Sequence, residues 1–219
     1  MTKIKICGIQ KLTDALVAAE EGADFVGLVF VPGRRRRLEI QPARDIVSGL
    51  RAMGGETPQV VGLFAYQPLD ELDCVIQTCG LDLVQLCGAE TLEYCRQVQG
   101  QVIKVLHVSG SASGDAAIAL LKDRMAAYQA ARCLVTLDRL VEGVPGGTGQ
   151  RFDWAVAAGL ASRGHSFLLA GGLSPDNVAE AVATVHPWGV DVSSGVETNG
   201  KKDPDKIRAF IQNVRQRRH

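Results

Sequence analysis

Two side chains in this sequence can move protons and stand where strands should end. Cys7 closes the alternating run Lys3-Ile-Lys-Ile-Cys7 before Gly8, and Asp138 follows the apolar run Cys133-Leu-Val-Thr-Leu137. A thiol and a carboxyl group each give or take a proton, so one at either end of a small substrate makes an acid–base pair. Each also has a plainer reading. A strand-end cysteine packs as a small hydrophobe, and an aspartate there caps a helix or joins an ion pair, since burial without a partner is costly.

Other groups suit anion recognition. Gly171-Gly172 and Ser194-Gly195 each follow a late apolar run. Glycine lets backbone N–H groups and helix starts approach a phosphate closely, although such pairs also serve as ordinary turns. The Gly/Pro-rich connection from Arg139 to Arg151 contains Gly146, Gly147, Thr148 and Gly149 ahead of a helical stretch, and connections of this length are usually functional. Arg36 lies in the run Arg34-Arg-Arg-Arg37, any member of which can grip a carboxylate with two parallel hydrogen bonds or simply be solvated. His107 and Cys87 also fall at strand ends; a backbone-satisfied histidine and a packed cysteine account for them.

The elements that must position these groups repeat one unit: a short apolar run, a polar or Gly-rich loop, then apolar residues at helical spacing. Strands are expected at Lys3–Cys7, Ala23–Phe30, Val60–Phe64, Leu83–Leu86, Val102–Val108, Cys133–Leu137, Phe167–Ala170 and Gly189–Val192. The helix over Pro68 to Thr78 turns Leu69, Leu72 and Ile76 inward; others span Ala89 to Val98, Asp115 to Gln129, and Ser174 to Val185. Asp203-Pro204 opens the last, with Ile207, Phe210, Ile211 and Val214 on one face. Eight strands alternating with eight helices predict an α/β fold, a closed (β/α)8 barrel spanning residues 1–219 as one domain. An open doubly wound sheet would carry a G-x-G-x-x-G loop after its first strand, and Gly8 is followed by Ile9-Gln-Lys. In the barrel, strand ends distant in sequence converge on one face.

Composition bounds the partners. A chain of 219 residues buries roughly 70 percent of its unfolded surface, enough for a core without staples. The six cysteines follow no metal-ligand or disulfide spacing, and no signal-peptide pattern opens the chain, so a reducing cytoplasmic setting is expected. No apolar run is long enough to cross a membrane. Lys plus Arg and Asp plus Glu stand at 24 each, giving no overall field for nucleic acid, and the arginine run lacks interleaved aromatics.

The ordered set Lys5-Ile-Cys-Gly8, Gly22-Ala-Asp24, Leu81-Asp-Leu-Val-Gln-Leu86, Gly146-Gly-Thr-Gly-Gln-Arg-Phe-Asp-Trp154, Ala170-Gly-Gly-Leu173, Asn177-Val178, Asp191-Val-Ser-Ser-Gly-Val-Glu197 and Gly200-Lys-Lys-Asp203 resembles the phosphoribosylanthranilate isomerase family over essentially the whole chain. The resemblance implies an Amadori rearrangement of N-(5-phosphoribosyl)anthranilate in tryptophan biosynthesis, with Cys7 as general base and Asp138 as general acid. It also implies that Arg36 faces the anthranilate carboxylate. Arg34 and Arg37 stand where the family has serine and tyrosine, and Cys87 where it has histidine. The implied partner is a small phosphorylated substrate; neither a cofactor nor a metal is needed, and monomer and homodimer both stay open. Two rivals remain: the histidine-branch isomerase, whose family has aspartate at the end of strand one, and a phosphate-binding barrel without activity.

Overall fold

The computed structural model describes residues 1–109, 114–140 and 154–216. Its strands are β1 (Lys3–Cys7), β2 (Phe25–Val29), β3 (Gln59–Phe64), β4 (Leu83–Leu86), β5 (Gln101–Ser109), β6 (Leu134–Leu140), β7 (Leu168–Leu169) and β8 (Gly189–Val192). They close in sequence order into a parallel barrel, β1 pairing with β8 through Lys3↔Gly189 to Ile6↔Val192. Between and after them run α1 (Leu12–Glu20), α2 (Ile40–Ala52), α3 (Leu69–Cys79), α4 (Leu92–Gln97), α5 (Gly114–Ala130), α6 (Trp154–Ala161), α7 (Val178–Val185) and α8 (Pro204–Arg215). The expected (β/α)8 architecture is therefore observed.

Strand alternation divides the core in two. One face of each strand, with residues such as Ile4, Ile6, Val26 and Leu28, packs outward on helix residues such as Ala15, Ile46 and Leu72. The opposite face fills the barrel with Phe25, Val29, Val61, Leu63, Leu83, Ile103 and Leu168, and includes Cys7. Both faces being covered explains why β2 is buried at every position. Polar residues interrupt the inner face: Lys5, Gln85, Thr136 and Asp191 are all buried.

Two helices begin later than their apolar spacing suggests, for local reasons. Thr91 caps α4, its side chain accepting a hydrogen bond from the Tyr94 N–H at 3.2 Å. Ahead of α7, Asn177 Oδ1 accepts from the Ser174 N–H at 2.8 Å while its amide donates to the Gly172 carbonyl at 2.9 Å, holding residues 174–177 as a turn. The last helix starts as expected, with Asp203 accepting from the N–H groups of Asp205 and Lys206 and Pro204 in the first turn. A cap of this kind contributes about 1 kcal/mol. A 3-10 turn, Ser194–Val196, and a small hairpin of β9 (Glu197–Thr198) and β10 (Lys201–Lys202) connect β8 to α8.

Candidate active site

The carboxyl ends of the strands surround a cavity of about 810 Å³. Cys7, Arg36, Cys87, His107, Asp138, Gly171, Gly172, Ser194 and Gly195 all line it. Gly147, Thr148 and Gly149 lie outside the described residues. Strand order arranges the rest around the rim. Gly171 and Gly172 follow β7, and Ser194 and Gly195 follow β8; Asp138 on β6 and Cys7 on β1 flank that glycine arc on either side. The arc is tightly built. Gly171 and Gly172 have φ of 90° and 74°, where only glycine is unstrained, and a Cβ on Gly195 would overlap the Leu173 carbonyl oxygen.

Cys7 is 6% exposed. Gly27 makes room for it, since a Cβ there would stand 2.9 Å from Cys7 Sγ. Two residues earlier on the same face, Lys5 is completely buried, its Nζ 2.9 Å from Asp191 Oδ2. Burial opposes the Lys5 charge, but Asp191 and Cys7 outweigh it and hold the ammonium well above its ordinary pKa. Burial pushes the Cys7 thiol up; Lys5 and Lys202 pull it back only in part, and Asp191 adds to the rise. The resting group at neutral pH is consequently a thiol with two cations placed to favour the thiolate.

Arg36 reaches the cavity over Gly8. That residue has φ of 74°, and a Cβ on it would collide with Arg36 Cδ and lie 3.0 Å from Ser193 Oγ. The guanidinium is held by Glu197: Nε donates to Oε1 at 2.6 Å and Nη2 to Oε2 at 2.9 Å. Two of its five N–H groups are so used among the described residues, leaving three for a ligand. Glu197 also accepts from Arg35 at 2.6 Å and from Lys202 at 2.9 Å. Lys202 donates further to the Ser193 carbonyl at 2.8 Å, and Lys206 to the Glu197 carbonyl at 2.9 Å. Arg35 and Arg36 thus tie the loop after β2 to the hairpin after β8, whereas Arg37 lies against Glu39 at 3.4 Å.

Burial alone would raise the Glu197 carboxyl, but Arg36, Lys202 and Arg35 overcome it and hold the pKa at about 2. A depressed carboxylate adds stability that is complete above the usual value of 4.5 and is lost as pH falls toward about 2. Glu197→Gln is therefore expected to flatten the fall in stability across this window, read as urea-unfolding midpoints of variant and wild type in buffers spanning it.

His107 Nε2 sits 3.0 Å from the Cys87 carbonyl oxygen, the backbone contact expected for a strand-end histidine. Cys87 is half-buried with Gln85 Nε2 3.6 Å from its sulfur, and burial reinforced by Cys7 pushes its thiol up to about 12. At that value it supplies no thiolate in the ordinary range. Lys5, Asp191, Glu197 and Lys202 were not singled out as working groups by sequence. Asp191 carries a sequence signal, a charge inside the otherwise apolar run Gly189–Val192, whereas Lys5 alternates with isoleucine as a solvent-facing residue also would.

A closed barrel that gathers a thiol, a carboxyl group, an arginine and glycine turns around one cavity at the carboxyl ends of its strands has the architecture of a (β/α)8-barrel enzyme. Comparison with known proteins narrows this. The sequence profile of N-(5'phosphoribosyl)anthranilate (PRA) isomerase matches residues 4–213. The N-(5'-phosphoribosyl)anthranilate isomerase of Citrifermentans bemidjiense is 46% identical over 213 residues, 96% of each chain. Phosphoribosyl anthranilate isomerase from Thermotoga maritima superposes with a TM-score of 0.82 at 34% identity, covering 98% of this chain and 99% of that one. A phosphoribosyl anthranilate isomerase in complex with reduced 1-(o-carboxyphenylamino)-1-deoxyribulose 5-phosphate gives a TM-score of 0.80 at 34% identity over the same shares of the two chains. The chain belongs to the phosphoribosylanthranilate isomerase family.

Proposed function

We propose that this barrel converts N-(5-phosphoribosyl)anthranilate to 1-(2-carboxyphenylamino)-1-deoxyribulose 5-phosphate, with Asp138 and Cys7 as the two proton carriers. One observation supports the reading most: Cys7 on β1 and Asp138 on β6 flank the glycine arc of β7 and β8 within one cavity. A phosphate seated on the backbone around Gly171, Gly172, Ser194 and Gly195 leaves the attached sugar between thiol and carboxyl group.

Asp138, as acid, gives its proton to the furanose ring oxygen, and the ring opens to an iminium. The positive nitrogen acidifies the neighbouring C2–H. Cys7, in the fraction of molecules whose thiol has released its proton to water, takes the C2 proton as thiolate, leaving an enolamine that tautomerises to the ketone. The cations of Lys5 and Lys202 offset part of the burial cost and so enlarge that thiolate fraction. Each transfer of this kind contributes about 10²–10⁴-fold, or roughly 3–5 kcal/mol of barrier. Arg36 takes the anthranilate carboxylate on the N–H groups that Glu197 leaves unused. The connection containing Gly147, Thr148 and Gly149 is assigned to the substrate from the family resemblance alone.

No described helix is long and apolar enough to cross a membrane, and all six thiols are free. Free thiols support a reducing compartment, the cytoplasm. The substrate reading is tested by offering the purified protein phosphoribosylanthranilate and, separately, the larger bis-phosphorylated aminoaldose of the histidine branch. Turnover of the first alone is expected, and preference for the second would overturn the assignment.

A further inference from the structure

Tyr66, just beyond the end of β3, has a backbone no ordinary tyrosine adopts. Its φ is 61°, in the left-handed region where a bulky residue is a conformational outlier, yet its side chain is 73% exposed and gains nothing from packing in the core. The conformation is held from below. The Tyr66 N–H donates to Glu90 Oε1 at 3.0 Å, and the same oxygen accepts from the Gly88 N–H at 3.2 Å. Glu90 in turn is locked by Lys104 at 2.7 Å, in an ion pair whose side chains are 3% and 2% exposed. Lys104 spends its other donors on the carbonyls of Gly88 and Leu86. On the C-terminal side, the Gln67 carbonyl accepts from Tyr94 Oη at 2.6 Å.

A buried ion pair is thus committed to a strained turn whose aromatic side chain folding does not use. Strain maintained in this way belongs to a ligand site more often than to a scaffold. The ring's position agrees. Tyr66 lines the cavity and lies over Gly88, where a Cβ would stand 2.6 Å from the locked Glu90 Oε1 and 2.8 Å from Tyr66 Cζ. The neighbouring wall is apolar: Val29, Val31, Leu63 and Ala65 face the same space. This arc, carried by β2 to β4, is opposite the glycine arc of β7 and β8 in the closed barrel. Among the described residues the phenol oxygen has no hydrogen-bond partner.

We infer that Tyr66 is a specificity-determining residue that covers the face of the substrate's aromatic ring, while the phosphate lies at the opposite side of the cavity. The inference rests on the reaction proposed above. The ring face is the recognising element.

The test compares wild type, Tyr66→Phe and Tyr66→Asn by calorimetric titration with two probes: the reduced carboxyphenylamino-deoxyribulose phosphate, which carries the ring, and ribose 5-phosphate, which lacks it. Asparagine tolerates the left-handed backbone, so the fold should persist with an equal or higher melting temperature. Tyr66→Asn is expected to bind the ring-bearing probe about tenfold more weakly, with ribose 5-phosphate unchanged, KM raised and kcat within about twofold. Tyr66→Phe should match wild type. Equal affinity of Tyr66→Asn and wild type for the ring-bearing probe would overturn the assignment, as would equal losses for both probes. Wild-type turnover, measured alongside, keeps the two claims apart: a wild type that turns over while Tyr66→Asn binds normally sinks only the role of Tyr66.

Discussion

Cys7→Ala is expected to lower turnover by about 10²–10⁴-fold, and Asp138→Asn by a similar factor, with neither change unfolding the barrel. In the proposed mechanism the two substitutions remove opposite halves of one proton inventory: without Cys7 the C2 proton has no acceptor, and without Asp138 the ring oxygen has no donor. The structural cost of the first is small. Cys7 is 6% exposed beneath a cavity, so its removal leaves a gap of about one sulfur atom, on the order of 1 kcal/mol. Steady-state assay of purified variants beside their melting temperatures separates lost chemistry from lost fold, and full activity in either variant would remove that residue from the mechanism. Burial also sets a pH dependence. Because the Cys7 thiol is held above its ordinary pKa, the thiolate fraction, and with it kcat/KM, should still be rising with pH beyond neutrality. Lys202→Met removes one of the cations favouring thiolate and should move this limb to higher pH.

Asp191→Ala should be the most destabilising of the changes considered. It leaves the wholly buried Lys5 ammonium without its 2.9 Å partner inside the barrel. Breaking a buried pair from one side costs about 3–5 kcal/mol, whereas replacing both members with apolar residues is often neutral. For a chain of 219 residues such a loss lowers the melting temperature by roughly 6–20 °C. Lys5→Met combined with Asp191→Leu should recover most of that stability without recovering activity, because the charge beside Cys7 is gone. A double variant as active as wild type would show that the pair serves packing alone.

Strand and helix alternation was readable because each strand is a short apolar run and each loop carries glycine, proline or charge, and that pattern also located Cys7 and the late glycines at strand ends; Asp138 instead lies inside β6, which continues to Leu140 because β5 pairs with it through Ser109↔Leu140. Period-two alternation put Lys5 on the same face as Cys7; that this face points into a barrel, where Asp191 from β8 meets it, depends on closure between the first and last strands. Arg36 shows the same limit differently. Four consecutive arginines offer four equal candidates on paper. Arg36 is distinguished by its path over Gly8 and its two-pronged bond to Glu197, a residue 161 positions away. Tyr66 had no legible signal, because a left-handed φ on tyrosine is imposed by Glu90 and Lys104 from neighbouring segments and not by local spacing.

On the function proposed, this cavity performs chemistry on an anthranilate-bearing sugar phosphate and does not merely hold one. The most direct test is the time course of anthranilate fluorescence after purified wild-type protein is mixed with phosphoribosylanthranilate. An enzyme-dependent loss of substrate fluorescence that scales with protein concentration, and is largely absent with Cys7→Ala, is the expected result. Tight binding of the substrate with no fluorescence change beyond the uncatalysed rate would contradict it, and would make the barrel a phosphate-ligand binder.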